Sequence, residues 1–438
     1  MNKHILIVGG GYVGLYTALR LQRKLRRELR DGSVSVTIID PQSYMTYQPF
    51  LPEAAAGNLS PRHVVAPLRR VLPKVRILNG RVTKVNHNDR TVTFQPPEGD
   101  EREVAYDIIV MAAGSISRTL PIPGLTDIGI GFKSIGEAIA LRNRVLHLLD
   151  LAESTEDPEV RRRALTFVVV GAGFAGVEAL AELEDMSKHS TRYYRNITRD
   201  DIRWVLVEAT DRILPEVGPE MGRWTLEQLR ERGVEVKLET RLESAVGGHV
   251  VLSDGTEFDS DTLVWTAGVK STPIPSGGTL PLDERGRIKT TAKLTVDGVT
   301  DAYAAGDVAG VPDLTNPGEY TTPNAQHAVR QAKVLGDNIV RGLRGEKLAE
   351  YRHKYVGSVA GLGLHQGVAN VYGVKLRGLP AWFMHRTYHL SRVPTLNRKV
   401  RVVVDWTLAL FFKRETISLG EMEHPRDGFR AAAATTRR

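Results

Sequence analysis

The chain contains no cysteine among its 438 residues. Disulfides, thiolate-bound metals and redox chemistry on a cysteine pair are therefore excluded, and no metal site is expected. Electrons handled by such a protein travel on a bound cofactor. Uninterrupted apolar runs of about 18 residues are also missing, so a transmembrane helix is not supported, while attachment to a membrane surface stays open. Low-complexity sequence is confined to the end, where GFRAAAATTRR reads as disordered. No signal peptide is expected either: MNKHILIVGGGYVG enters a strand almost at once, which favours the cytosolic side.

What remains is a folded chain of about three usual domain lengths, with ordinary apolar and charged fractions. Its net charge of +8 is concentrated, because residues 384–438 hold eleven Lys and Arg against five Asp and Glu. This asymmetry fits an anionic partner, either lipid or nucleic acid, or else a merely solvated surface.

The run HILIVGG reads as a buried parallel strand and leads into Gly9, Gly11 and Gly14 in G-x-G-x-x-G spacing, followed by apolar residues at helical spacing. Gly9 permits the tight turn, Gly11 lets backbone approach a pyrophosphate, and Gly14 allows close helix packing, while the helix start offers N–H groups to phosphate. The next strand, VSVTIID, ends in Asp40, placed to accept hydrogen bonds from a ribose 2′-OH. The device then repeats: LTFVVVGAGFAGVEAL supplies Gly171, Gly173 and Gly176, and IRWVLVEA delivers Glu208. Two complete fingerprints imply two dinucleotides, of which the simplest pair is FAD and a nicotinamide nucleotide. The negative charge of Glu208 welcomes a free 2′-OH and repels a 2′-phosphate, favouring NADH, although nearby Arg212 weakens that inference.

This order of motifs resembles the two-dinucleotide-binding-domain flavoproteins and, more narrowly, the type II NADH dehydrogenases, the single-subunit NADH:quinone oxidoreductases. The likeness covers nearly the whole chain. YDIIVMAAGS, with Ala113 and Gly114, is similar to the segment that returns the chain to the FAD domain, and DTLVWTAGV, with Gly268, resembles its counterpart on the NADH side. In VTDAYAAGDVAG the resemblance implies that Asp307 holds the ribityl chain; by its chemistry, Gly306 frees the backbone and Asp307 offers acceptors, or simply caps a turn. The segment YMTYQPFLPEAAAGNLSP, which contains Gln48, matches the family's passage near the flavin.

Hydride transfer to a flavin depends on close stacking and exclusion of water more than on any one acid or base. Glu178, two residues after Gly176, is unusual beside an incoming pyrophosphate. The resemblance implies hydride or proton handling there, whereas the bland reading is a carboxylate favouring the helix dipole. Glu182, one turn on, reads as a solvated or packing position. The stretch TTPNAQHAVRQA reads as a helix start: Pro323 suits it, Thr322 or Asn324 can cap it, and an apolar stripe follows. In the family a comparable helix carries Ala-Gln and a second Gln one turn later, which line the quinone pocket. Ala325 and Gln326 match, but the position one turn on is Arg330, and Gln331 is rotated by about 100°. The site therefore presents Gln326 with Arg330, or accepts Gln331 through a local adjustment. His327 reads as a surface or packed side chain more readily than as a proton relay.

From Lys354 the sequence turns to period-two patterns and glycine turns, then to two segments rich in Trp382, Phe383, Tyr388, Trp406, Phe411 and Phe412. Arg386, Arg392, Arg398, Lys399, Arg401, Lys413 and Arg414 fringe them, as expected of a face on anionic lipid, of packing on the FAD domain, or of a homodimer interface.

The expected fold is α/β: a FAD-binding domain (residues 1–120 and 290–350) interrupted by an NADH-binding domain (121–289), both Rossmann-like, plus an α+β membrane-association module (351–438). The expected activity passes electrons from NADH through FAD to a quinone, menaquinone or ubiquinone, without proton pumping, at the cytoplasmic side of the membrane and with no nucleic acid. Reduction of a soluble acceptor, or NADH sensing with a basic binding tail, are the alternatives.

Overall fold

The computed structural model describes residues 2–273, 278–354, 356–412, 414–418 and 426; Lys413 and the expected disordered tail lie outside them. The chain forms two compact units. One comprises Met1–Thr46, Val65–Arg118 and Val269–Tyr355, the other Tyr47–Val64, Thr119–Gly268 and Val356–Arg438.

The first unit is built on a five-stranded sheet in the order Ala302–Ala304, Ile108–Met111, Lys3–Val8, Val34–Asp40, Arg76–Asn79, with every pairing parallel. Ile5, Leu6 and Ile7 are fully buried, as an unbroken apolar run demands of a central strand covered on both faces. From Lys3–Val8 the chain builds outward to one side, then returns to the other with Ile108–Met111, which makes a topological switch point beside the first strand. An antiparallel meander, Arg81–Asn86, Thr91–Gln95 and Arg102–Ala105, fills the return. The helices Tyr12–Lys24 and Ala325–Leu343 pack together where Arg20 pairs with Asp337 at 2.8 Å and Thr17 Oγ1 donates to the Ala332 carbonyl.

The second unit repeats the scheme: Gly129–Gly131, Thr262–Trp265, Thr166–Val170, Arg203–Val207 and Glu235–Lys237, again all parallel, with its own meander at Leu242–Ser244, His249–Leu252 and Glu257–Asp259. Phe167 stacks on Trp204 at 4.7 Å in its core. The α/β fold with two Rossmann-like parallel sheets is as expected.

Late in the chain, antiparallel strands Gly357–Gly361, Gly367–Val371 and Val374–Arg377 precede helices Gly378–Arg392 and Leu396–Phe411. Pro394 disfavours helix at Val393 and ends the first, and the Thr395 side chain accepts from Arg398 N to start the second. The short helix Leu51–Ala55 belongs to this unit and brings Glu53 to both helices.

Candidate dinucleotide and electron-transfer sites

The two glycine loops have the same internal wiring. In the first unit, Asp40 Oδ2 accepts from Gly10 N at 2.6 Å and its other oxygen from Gln42 N at 2.6 Å. Burial raises the Asp40 pKa, and the two N–H groups oppose that rise. In the second, Glu208 Oε2 accepts from Ala172 N at 2.7 Å and Oε1 from Thr210 N at 2.9 Å. Each acid thus fixes the middle residue of its own loop. Gly9 and Gly171 turn with φ of 104° and 103°, where a side chain would collide with the backbone just past a neighbouring strand, at Ala112 or Thr266. A Cβ on Gly14 or Gly176 would strike the carbonyl oxygen of Gly9 or Gly171, whereas one on Gly11 or Gly173 would meet nothing within 4 Å. The outer glycines serve chain packing, and the middle ones border open space of the kind a pyrophosphate fills. Gly114 and Gly268, at the corresponding strand ends, also face open space. Thr272 Oγ1 donates to the Ala113 carbonyl at 2.9 Å and so ties down the first of these ends.

In the first unit, Ser115 Oγ donates to Asp307 Oδ2 at 2.6 Å, so Asp307 sits at the end of the Ile108–Met111 strand, near the switch point. The preceding Gly306 donates its N–H to Gln331 Oε1 at 2.7 Å, and Gln331 Nε2 donates to Thr321 Oγ1 at 3.0 Å. Gln331 is 1% exposed, so its amide holds the Asp307 turn. Asn324 caps the helix Ala325–Leu343 by accepting from His327 N at 2.8 Å, which leaves Ala325 and Gln326 in its first turn. Gln326 Oε1 accepts from His353 Nε2 at 2.9 Å, and Arg330 Nη1 donates to the Gln326 main-chain carbonyl at 3.0 Å. His327 is buried, with Nδ1 at 2.8 Å from Tyr351 Oη. Burial lowers its pKa, and Arg330 adds to that, against Asp313.

In the second unit, Glu178 is buried in the glycine-loop helix Phe174–Ser190; its Oε1 accepts from Gly361 N at 2.8 Å and lies 3.1 Å from His385 Nε2. Burial works to lower the His385 pKa, but the Glu178 carboxylate outweighs it and the net direction is up. Edge-on to His385 at 4.6 Å stands His389, whose Nδ1 is 3.1 Å from Tyr47 Oη. Burial, His385 and Arg392 push His389 well down. Glu182 is buried, accepts from Asn58 at 2.9 Å and lies 4.0 Å from Arg414. Gln48 is exposed and donates to the Lys133 carbonyl at 3.1 Å.

Arg386 departs from its expected place on a lipid-facing fringe. It is 8% exposed, pairs with Glu53 at 2.9 Å and lies 4.0 Å over the Trp382 ring. Trp406 is also held inward, donating to Glu53 Oε2 at 2.7 Å. Phe383, Phe411 and Phe412 are exposed. Sequence reading missed His385, His353 and Glu53, because each is defined by a partner on a remote segment and no local spacing marks it. Among the described residues there is no cluster able to hold a metal ion.

Two parallel sheets, each ending at a glycine loop tied to its own acid, define an oxidoreductase of the two-dinucleotide type. Residues 3–332 match the family model for pyridine nucleotide-disulphide oxidoreductases. The chain is 31% identical to the type II NADH:quinone oxidoreductase of Staphylococcus aureus, over 88% of this chain and 94% of that one. It is 28% identical to the type II NADH:quinone oxidoreductase of Mycobacterium tuberculosis, over 94% and 89%. Its fold matches the structure of NDH2 from Plasmodium falciparum in complex with NADH, with a TM-score of 0.88 and 20% identity, covering 95% of this chain and 100% of that one. The chain belongs to the pyridine nucleotide-disulphide oxidoreductase family and, within it, to the type II NADH:quinone oxidoreductases. The family's disulphide has no counterpart here, since cysteine is absent.

Proposed function

We propose that this chain oxidises NADH and reduces a membrane quinone, menaquinone or ubiquinone, without pumping protons. The carrying observation is the pair of acid-tied glycine loops in a chain without cysteine, which leaves a bound flavin and no disulfide to pass electrons on. When bound, FAD takes hydride from NADH and gives the electrons to the acceptor.

The first unit holds FAD: Gly9, Gly11 and Gly14 admit its pyrophosphate, Asp40 a ribose, and Ala113, Gly114, Gly306 and Asp307 the ribityl side. The second holds NADH on Gly171, Gly173, Gly176, Glu208 and Gly268. Glu178, fixed by Gly361 N, handles a proton in a water-poor setting. Gln326 and Arg330, with Ala325 in the same turn, meet the acceptor, while Gln331 holds the Asp307 turn. Leu396, Val400, Val404, Leu408 and Phe411 recur at helical spacing and are all exposed, as suits a helix lying on lipid with Lys and Arg alongside. No helix among the described residues is long and apolar enough to cross a membrane. The proposed attachment is peripheral, on the cytoplasmic face. The same face is compatible with a homodimer.

Purified protein is expected to be yellow and to reduce menadione or ubiquinone with NADH far faster than with NADPH. A protein that binds no flavin would falsify the reading. Arg330, standing where a second amide is expected, favours a soluble acceptor as the second reading, and a screen of quinones against ferredoxin and oxygen decides between them.

A further inference from the structure

We propose that His353 is a positioning residue for the acceptor: it holds the Gln326 amide in one orientation, with the amide nitrogen left to face the acceptor. The proposal rests on the reading of this helix as the acceptor end.

A primary amide presents oxygen and nitrogen with nearly the same shape, so an unheld glutamine offers an acceptor as readily as a donor. A quinone carbonyl only accepts, and one of the two orientations repels it. Gln326 Oε1 takes its hydrogen bond from His353 Nε2 at 2.9 Å, which turns the amide nitrogen away from the imidazole. Because that oxygen cannot donate, it also selects the Nε2–H tautomer of His353.

The imidazole is itself fixed. Its ring stands edge-on to His327 at 5.8 Å, and His327 is bonded to Tyr351. Arg330 closes the turn by donating to the Gln326 carbonyl. Burial first, then Arg330 and His327, bring the His353 pKa down to about 4 against the pull of Asp313, so the ring is neutral at physiological pH. Its one N–H is then committed to Gln326. Gln331 is not a rival for this part, because both ends of its amide are bonded to Gly306 and Thr321.

The test compares wild type, His353→Leu and His353→Gln in two assays: anaerobic flavin bleaching by NADH, and steady-state KM for menadione. Loss of one neutral hydrogen bond corresponds to a rise in quinone KM of about five- to tenfold in His353→Leu. Flavin bleaching should stay at the wild-type rate, and His353→Gln, which keeps an N–H donor, should return KM to within about twofold of wild type. An unchanged KM in His353→Leu overturns the proposal, as does an equal fall in both assays with a lowered Tm. A wild-type enzyme that is reduced by NADH yet passes electrons to no quinone overturns the acceptor reading and this proposal with it.

Discussion

Arg386 meets the Glu53 carboxylate at 2.9 Å across 333 residues of sequence, with both side chains buried. The same oxygen accepts from Trp406 Nε1, and the guanidinium carbon lies over the rings of both Trp382 and Trp406, at 4.0 and 4.8 Å from their centroids. Breaking a buried pair from one side strands a charge, at about 3–5 kcal/mol. Arg386→Leu is therefore expected to lose stability of that order in urea denaturation. The double variant Glu53→Met/Arg386→Leu should lose far less, and equal losses in the two would show that packing of the arginine, not its charge, matters.

Gly11 and Gly14 separate ligand binding from folding. Gly14→Ala drives a methyl into the Gly9 carbonyl and should lower Tm together with flavin content. Gly11→Ala meets nothing within 4 Å and should fold normally while losing flavin. Absorbance near the flavin bands, read beside a thermal melt, checks both.

Glu208 fixes Ala172 N, and in the proposed reading it also meets the ribose of the nicotinamide nucleotide. Glu208→Gln keeps an acceptor but removes the charge that repels a 2′-phosphate. The ratio of kcat/KM for NADPH over NADH should rise by roughly tenfold or more. A ratio that does not move would transfer the discrimination to another residue.

Burial lifts the Glu182 pKa from 4.5 to about 7; Arg414 opposes this, while Glu53 and Asp185 add to it. Between those values the folded state binds more protons than the unfolded one, so this group makes stability fall as pH rises through the window and then level off. Glu182→Gln removes that slope. Relative to wild type, the variant should gain stability from pH 5 to pH 7 and gain nothing further above pH 8, as measured by denaturant midpoints across pH.

The parts legible in the sequence are those encoded locally. A strand, three glycines and an acid one strand later occupy neighbouring stretches, so the loops at Gly9 and Gly171 and the acids Asp40 and Glu208 could be placed by spacing alone. The Asn324 cap was one of two candidates for the same reason. Long-range chemistry was not legible: Gly361 fixes Glu178 from 183 residues away, and His353 reaches back 27 residues to Gln326 from beyond the helix. Arg386 read as a surface cation because a sequence displays a charge but not the carboxylate it is buried against. Gln331 stayed an alternative to Arg330 as the second quinone contact, because helical rotation alone does not reveal the Gly306 N–H beneath it.

Arg414 donates to Asn58 at 3.0 Å and to Asp185 at 2.7 Å, and its side chain is 5% exposed. On the ribosome, Asn58 emerges 356 residues before its partner, a wait of roughly 20 to 70 s at common elongation rates. The nascent second unit therefore carries Glu53 and Glu182 without their arginines for most of synthesis. Its closure is timed by the segment that follows the exposed helix Leu396–Phe411, so the unit is completed only after that helix has left the exit tunnel.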